Sequence, residues 1–343
     1  MTPLVDHLAD LTALRDRDSL DAALITTLHE LLQPKAVAIF RLVGPAGNER
    51  WLHCAQIQDG VVRSHRYTGV IELDELPAAA DFAARQQALQ RNQPVMIDTS
   101  TTLCVFPLFN QGERKGVLEL DSWVPLSTET IVLVSAVLRL YQNFVGLLDD
   151  GERDTLTELL NRKTFDGAFM KATANQHSAQ EQTACDRRLA QEGGSYWLAM
   201  LDIDHFKHVN DNFGHLIGDE VLLLLARLMR STFRFHDQLY RFGGEEFVVL
   251  MYCAQRRQAE VAFERLRNNA EQNNFPQVGR ITISVGFTEI RSGDTPSGAF
   301  ERADKAVYYA KEHGRNQVCC YETLIAQGQL PAEKAPVGEV ELF

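Results

Sequence analysis

Asp202, Glu245 and Glu246 are the residues of this chain whose types and spacing could do chemistry. The stretch RFGGEEFVVL, Arg241 to Leu250, sets two carboxylates directly after two glycines, between segments that read as β-strands. Adjacent like charges repel. At the tip of a hairpin they are tolerated in a solvated turn, or where a multivalent cation or a proton to be removed offsets them. Asp202 is the first acid at the end of the strand-like stretch YWLAMLDID, so its carboxylate is expected at the edge of a sheet. If the Gly243–Gly244 hairpin lies beside that strand, Asp202 and Glu245 converge. Carboxylates held together call for a hard cation, and oxygen-only ligands select magnesium or manganese. A pair of such ions activates a hydroxyl and stabilises charge developing at phosphorus. Taken singly, Asp202 reads as a strand-end turn former and the two glutamates as a polar hairpin. Together with the glycines they point to phosphoryl chemistry.

The elements that must position them fall into two blocks of an α+β chain. Residues 1 to about 123 alternate a helix (DSLDAALITTLHELL, with Leu20, Ala23, Leu24, Leu28 and Leu31 near one face), strands (AVAIFRLV, WLHCAQI) and a late hairpin (LCVFPLFNQGERKGVLELD) turning at Asn110-Gln111-Gly112. A linking segment, 124–153, holds a helix from Ser127 to Leu148. Its Ile131, Val134, Leu138, Tyr141, Val145 and Leu148 recur at the 3,4 spacing of a coiled-coil seam. A dimer seam and a helix packed on its own domain both produce that stripe. DDGERD follows as a polar joint. The second block, 154–322, predicts a helix TLTELLNRKTFDGAFMKA and a polar stretch of low order up to Gly194. Strand YWLAMLDID, helix IGDEVLLLLARLMRSTF, the Gly243 hairpin and helix AEVAFERLRNNA come next. Strand RITISVGFTEI, half-buried by its alternation, helix GAFERADKAVYYAKEHG and strand QVCCY close the block. A helix-covered sheet with an antiparallel part is implied. The tail, 323–343, with Pro331 and Pro336, reads as disordered.

The chain has 343 residues and a formal net charge of -12, with 45% hydrophobic and 23% charged residues. That is the composition of an ordinary globular protein. The acidic balance argues against a nucleic-acid polymer as partner, which would need a basic surface. No basic start or apolar core marks a signal peptide in MTPLVDHLAD. The apolar run IVLVSAVLRLYQNFVGLL carries Arg139, Gln142 and Asn143 and makes a poor membrane span. Six cysteines without CxxC or zinc spacing suit reduced thiols in a cytoplasmic protein.

Four motifs carry a resemblance over residues 154 to about 321: DTLTELLNR, DIDHFKHVNDNFGHLIGD, RFGGEEF and AKEHGRN. This half resembles the GGDEF domain of diguanylate cyclases, in its GGEEF variant, and the N-terminal block is similar to a GAF sensory domain. The resemblance implies a polymerase-palm-like central sheet surrounded by helices. It also implies a homodimer that joins two GTP, one per subunit, into cyclic di-GMP with release of two pyrophosphates. Magnesium or manganese, two ions per half-site, would be the cofactor, held by Asp202, the Ile203 carbonyl and Glu245. Glu245 or Glu246 would take the proton from the attacking 3′-hydroxyl, a choice the sequence leaves open.

The same resemblance implies the remaining site residues. Gly243 and Gly244 let the backbone approach the α-phosphate. Phe206 and Lys207 meet the terminal phosphates, where Lys207 supplies a point charge. Lys311 and Arg315 complete that clamp, although residues so placed, with Gly314 as cap, also serve a helix dipole. Asn210 and Asp219 would read guanine, because adenine lacks the N1 proton and the 2-amino group. His215 would lie near ribose and base, or be structural. Arg234 and Asp237 form an RxxD pattern upstream of the signature where product would bind and inhibit, with Arg265 as a further contact; a surface ion pair is the default for RxxD alone. Glu158 stands where the family usually has glycine, and Lys163 where it has a second arginine. An inactive receptor of GTP or cyclic di-GMP, signalling by contact, is the alternative function. A cyclase joining GMP to AMP is a third. The N-terminal block would bind an unknown ligand or none, and no membrane partner is expected.

Overall fold

The computed structural model describes residues 2–64, 73–98, 100–110, 113–185 and 194–331. The chain divides into two compact units, Met1–Gly151 and Glu152–Phe343.

The first unit is built on a six-stranded antiparallel sheet in the order β3-β2-β1-β6-β5-β4. Its elements are α1 (Thr2–Ala13), α2 (Arg17–Leu32), β1 (Ala36–Val43), β2 (Arg50–Gln58), β3 (Val61–Ser64), α3 (Ala83–Arg91), β4 (Val95–Asp98), β5 (Thr102–Asn110), β6 (Glu113–Ser122) and α4 (Thr128–Glu152). Side chains alternate across the sheet. Val37, Ile39, Cys104, Phe106, Leu118 and Leu120 face a core completed by α2 and α4. Val105, Val117 and Trp51 face a second core that includes Ala88 and Leu89 of α3. Gln111 and Gly112, the expected tip of the β5–β6 hairpin, lie outside the described residues.

Of the two roles that the 3,4 stripe of the linking helix allows, the helix takes the second. Val134, Leu138 and Tyr141 of the 3,4 stripe are buried in the unit's own core, with Val137, and Ile131, Val145 and Leu148 pack against it. A stripe of that spacing fits a sheet as well as a second helix; the period alone does not say which. Two polar contacts hold the helix there: the Tyr141 hydroxyl donates to buried Asp21 of α2, and Arg17 pairs with Asp149. The helix also runs on through Asp149–Glu152, where a polar joint was expected.

The second unit has a six-stranded sheet in the order β12-β11-β8-β10-β9-β7. The elements are β7 (Leu160–Asn161), α5 (Arg162–Cys185), β8 (Ser195–Ile203), α6 (Phe206–Phe213), α7 (His215–Thr232), β9 (Gln238–Gly243), β10 (Glu246–Cys253), α8 (Arg256–Gln272), β11 (Ile283–Glu289), α9 (Pro296–Glu312), β12 (Val318–Cys320) and α10 (Tyr321–Ala326). β8, β10, β9 and β11 are antiparallel; the edge strands β7 and β12 join in parallel. One face packs on α7 and α8 through Leu222, Leu225, Phe263 and Leu266. The other packs Phe165, Phe169 and Ala299 against Leu198, Tyr240 and Val248.

Five expectations are corrected here. Thr155–Leu159 is turn, and the helix begins only at Arg162, because Asp154 caps a turn by accepting from the Thr157 N–H at 2.8 Å and hydroxyl at 2.7 Å. That helix continues through Cys185, where low order was expected. β11 is buried on both faces rather than one. Tyr321, assigned to the last strand, opens α10 instead, and that helix carries order through Ala326 into the segment expected to be a disordered tail, with Leu324 buried against α9. The rest of the polar stretch, 186–193, and the tail from 332 lie outside the described residues.

Candidate active site

Asp202 is the penultimate residue of β8 and Glu246 the first of β10, and the antiparallel register sets them opposite each other. On the other side of β8, Ser284 of β11 pairs with Asp202. Between β9 and β10 the chain turns at Gly243 (φ 139°) and Gly244 (φ 52°), conformations glycine adopts without a Cβ penalty. A Cβ on either would meet nothing within 4 Å. The glycines are required by backbone conformation, not by crowding of a side chain.

Lys311, in the last turn of α9, places Nζ 2.7 Å from Asp202 Oδ2. The helix packs closely on the sheet through small residues. Ala299, Ala303, Ala306 and Ala310 are fully buried, and a Cβ on Gly286 of β11 would lie 2.3 Å from Val307 N and 2.4 Å from Ala303 O. Burial pushes the Asp202 carboxyl above its ordinary value; Lys311 opposes this, and Asp204 and Asp304 add to it. Burial likewise raises Glu245, the charges of Asp202 and Glu246 add, and Lys311 opposes. Burial is thus the main cause at both carboxyls, and three acids at this edge, Asp202, Glu245 and Glu246, face one lysine.

Among the described residues no three His, Cys, Asp or Glu side chains are grouped closely enough to hold a metal ion. What fits a hard divalent cation is the donor type, carboxylates and the Ile203 carbonyl, and this excess of negative charge.

The other sequence candidates follow β8 and α9 along the chain. Phe206 opens α6 with its ring buried in the core, so only its backbone can face a ligand. Lys207 is exposed. Asn210 presses on α7: a Cβ on Gly218 would lie 2.0 Å from Asn210 Oδ1. Gly214 (φ 83°) turns the chain from α6 into α7, which begins with His215 and carries exposed Asp219 in its second turn. Arg315 is exposed and follows Gly314 with φ 61°, a left-handed conformation shared by Asn316 at 44°.

Arg234 and Asp237 stand apart from these, in the turn between α7 and β9. Asp237 Oδ2 accepts the Arg234 N–H at 2.9 Å, and Asp237 N–H donates to Arg234 O at 3.1 Å. The acid thus closes its own turn. A cavity of about 320 Å³ is lined by both, by Arg257 and Arg265 of α8, and by Met251 and Cys253 of β10. Arg265 also donates to Thr232 O at 2.5 Å.

Sequence reasoning missed two groups. Arg241 donates through Nη1 to Asp154 at 2.9 Å and through Nε and Nη2 to Gly244 O at 3.1 and 2.9 Å. The residue that follows α4 by two positions is thereby tied to the signature turn. The signal was present, since Asp154 heads one quoted motif and Arg241 another. Asp204 is the second; it is buried and accepts three hydrogen bonds.

Residues 152–317 match the family model described as diguanylate cyclase, GGDEF domain.

The GGDEF match covers Asp202, the glycine turn and Lys311 alike. Diguanylate cyclase DgcP of Pseudomonas aeruginosa is 39% identical over 168 residues, 48% of this chain and 23% of that protein. Diguanylate cyclase VdcA of Vibrio cholerae is 34% identical over 188 residues, 53% of this chain and 50% of that one. The chain thus spans half or less of the length of these relatives. The GGDEF domain of DgcB from Caulobacter crescentus, solved in complex with c-di-GMP, is 34% identical, with 50% of this chain and 97% of that one covered and a TM-score of 0.44.

Proposed function

We propose that the protein is a homodimeric diguanylate cyclase, joining two GTP into cyclic di-GMP and releasing two pyrophosphates. The observation that carries this reading is the β8–β10 register. It sets Asp202 against the signature acids, beside Lys311, in a unit that matches the GGDEF family. Asp202, the Ile203 carbonyl and Glu245 would hold magnesium or manganese, two ions per half-site. When bound, the ions lower the hydroxyl's pKa and offset charge at phosphorus.

This chain's residues do the rest. Glu245 and Glu246 are the candidate acceptors of the 3′-hydroxyl proton. The raised carboxyl of Glu245 brings its basicity closer to that of a working general base. Peptides at Gly243 and Gly244 approach the α-phosphate. Lys207, the Phe206 backbone, Lys311 and Arg315 hold the terminal phosphates. Asn210 and Asp219, with His215 beside them, read guanine. Asp219 unpaired against adenine would cost about 1–3 kcal/mol.

Further parts of the reading rest on specific features. The Arg234–Asp237–Arg265 cavity suits a guanine or phosphate group of the product, and supports inhibition there. The outward face of α4, with exposed Val132, Leu140 and Leu147 opposite its buried stripe, suits a second copy of the chain. The first unit's helix-flanked antiparallel sheet suits a GAF-like sensor. The substrate, and five described cysteines that are all unpaired, suit the cytoplasm.

The test incubates full-length protein with Mg²⁺ and GTP, with and without ATP, and resolves the nucleotides. Cyclic di-GMP is expected. No product would favour the receptor reading, and a mixed dinucleotide the third. Glu246→Gln should lower the rate by about 10²-fold or more with the fold intact; full-speed synthesis would overturn the catalytic assignment.

A further inference from the structure

Asp204 is a buried acid two residues from Asp202 for which the proposed chemistry has no use. It is 6% exposed. Its N–H donates to Thr282 O at 2.9 Å. Oδ1 accepts from the Ser284 hydroxyl at 2.7 Å, and Oδ2 from the Thr282 hydroxyl at 2.7 Å and the Asn316 N–H at 3.0 Å. Three of the roughly four acceptor positions of a carboxylate are taken, by bonds that its charge strengthens. Two residues from Asp202, it is committed to protein donors rather than to a cation.

Those donors come from two places with different duties. Thr282 and Ser284 belong to the entry of β11, and Ser284 pairs across the sheet with Asp202. Asn316 belongs to the turn after α9, where Arg315 and Asn316 are both left-handed. Consecutive non-glycine residues in that region are strained and persist only where their surroundings hold them. Here the holders are Asp204 on the Asn316 N–H, Arg267 and Glu271 on the Asn316 side chain, at 2.8 and 2.9 Å, and the Arg315 N–H bond to Ala310 O at 2.9 Å. Among these, Asp204 is the one that sits at the exit of β8.

We propose that Asp204 is a positioning residue: it fastens the Gly314–Asn316 turn to the exit of β8, so that Arg315 meets the nucleotide's terminal phosphates at a fixed offset from Asp202. The inference deepens the cyclase reading and rests on it, through the role of Arg315. Asp204 touches neither substrate nor cation.

The experiment is a double-mutant cycle in the full-length protein, reading KM for GTP and kcat separately. Asp204→Ala and Arg315→Ala are each expected to raise KM about tenfold, with a smaller change in kcat. The double variant should be no worse than the worse single one, because the residues act through one contact. Asp204→Asn keeps an acceptor for the Asn316 N–H and should recover most of the KM. If Asp204→Ala does not fold, Asp204→Asn carries the same cycle, with a smaller rise in KM that is again not additive with Arg315→Ala. Additive rises, or a loss confined to kcat, would overturn the proposal and leave the cyclase reading standing. An Arg315→Ala variant with unchanged KM would remove the phosphate role of Arg315, and this proposal with it.

Discussion

Glu158 shows at the residue scale how a departure from a family pattern becomes a conformational cost. It stands at φ 58°, where an L-residue pays about 1–2 kcal/mol and glycine does not. Its carbonyl accepts from Arg153, and its largely exposed carboxylate lies 3.8 Å from Arg230, a pair worth little in water. Glu158→Gly should therefore raise stability by about 1 kcal/mol, read as the denaturant midpoint; no gain would mean the turn is held strongly enough to absorb the strain. The glycine preference at this position came with the family resemblance. The left-handed turn that explains it was not legible in the sequence, because Glu has no local signature for positive φ. Asp204 escaped for a related reason. Its three partners lie about 80 and 112 residues away along the chain.

At the scale of elements, two contacts decide where the acidic edge of the candidate site lies. Gly286→Ala would put a Cβ 2.3 Å from the backbone of α9. A helix backbone cannot yield locally, so α9 must shift and carry Lys311 with it. The expected outcome is a loss of about 1–3 kcal/mol in stability and a raised KM for GTP; an unchanged KM would show that Lys311 tolerates the shift. Asp154 is the other contact. Burial alone would raise its carboxyl, but bonds from Thr157 and Arg241 outweigh this and hold it below the ordinary value. A depressed folded-state pKa gives stability that is complete above the unfolded value, about 3.9, and lost as pH falls through the folded one. Asp154→Asn should therefore destabilise at pH 7, and the difference from the parent should shrink below about pH 4. A difference independent of pH would mean that the charge of Asp154 does not matter. β11 shows where alternation misleads. Ile281, Ile283, Val285 and Phe287 gave the period, yet Ser284 between them and Thr288 after them are fully buried too, since helices cover both faces.

At the scale of the whole molecule, the proposed reaction needs two nucleotides on two copies, and α4 offers a surface for the second. Val132 and Leu147 are 63% and 68% exposed on the face opposite the buried stripe. α4 is long and apolar enough, by length and composition only, to cross a membrane. Its other face is committed to the first unit's core, through Tyr141 on Asp21 as well as through apolar contacts. Val132→Glu with Leu147→Glu should yield a monomer by light scattering and a turnover that falls steeply on dilution. A stable dimer with unchanged turnover would place the seam elsewhere.

The sequence alone determined the chemistry on offer. Acids after paired glycines, a strand ending in Asp202 and a helix ending in Lys311 are local patterns, and local patterns survive without a fold. It also determined most elements whose apolar period is long, such as α7 and α8. Only the tertiary structure decided which pattern meets which: that Glu246 lies opposite Asp202, that Arg241 reaches back to Asp154, that Asp204 serves the turn after α9, and that the α4 stripe faces its own sheet. Periodicity states that a face is apolar and spacing states that a residue is available. What covers that face or meets that residue is settled by contacts between segments far apart in the chain, whose register no short window contains.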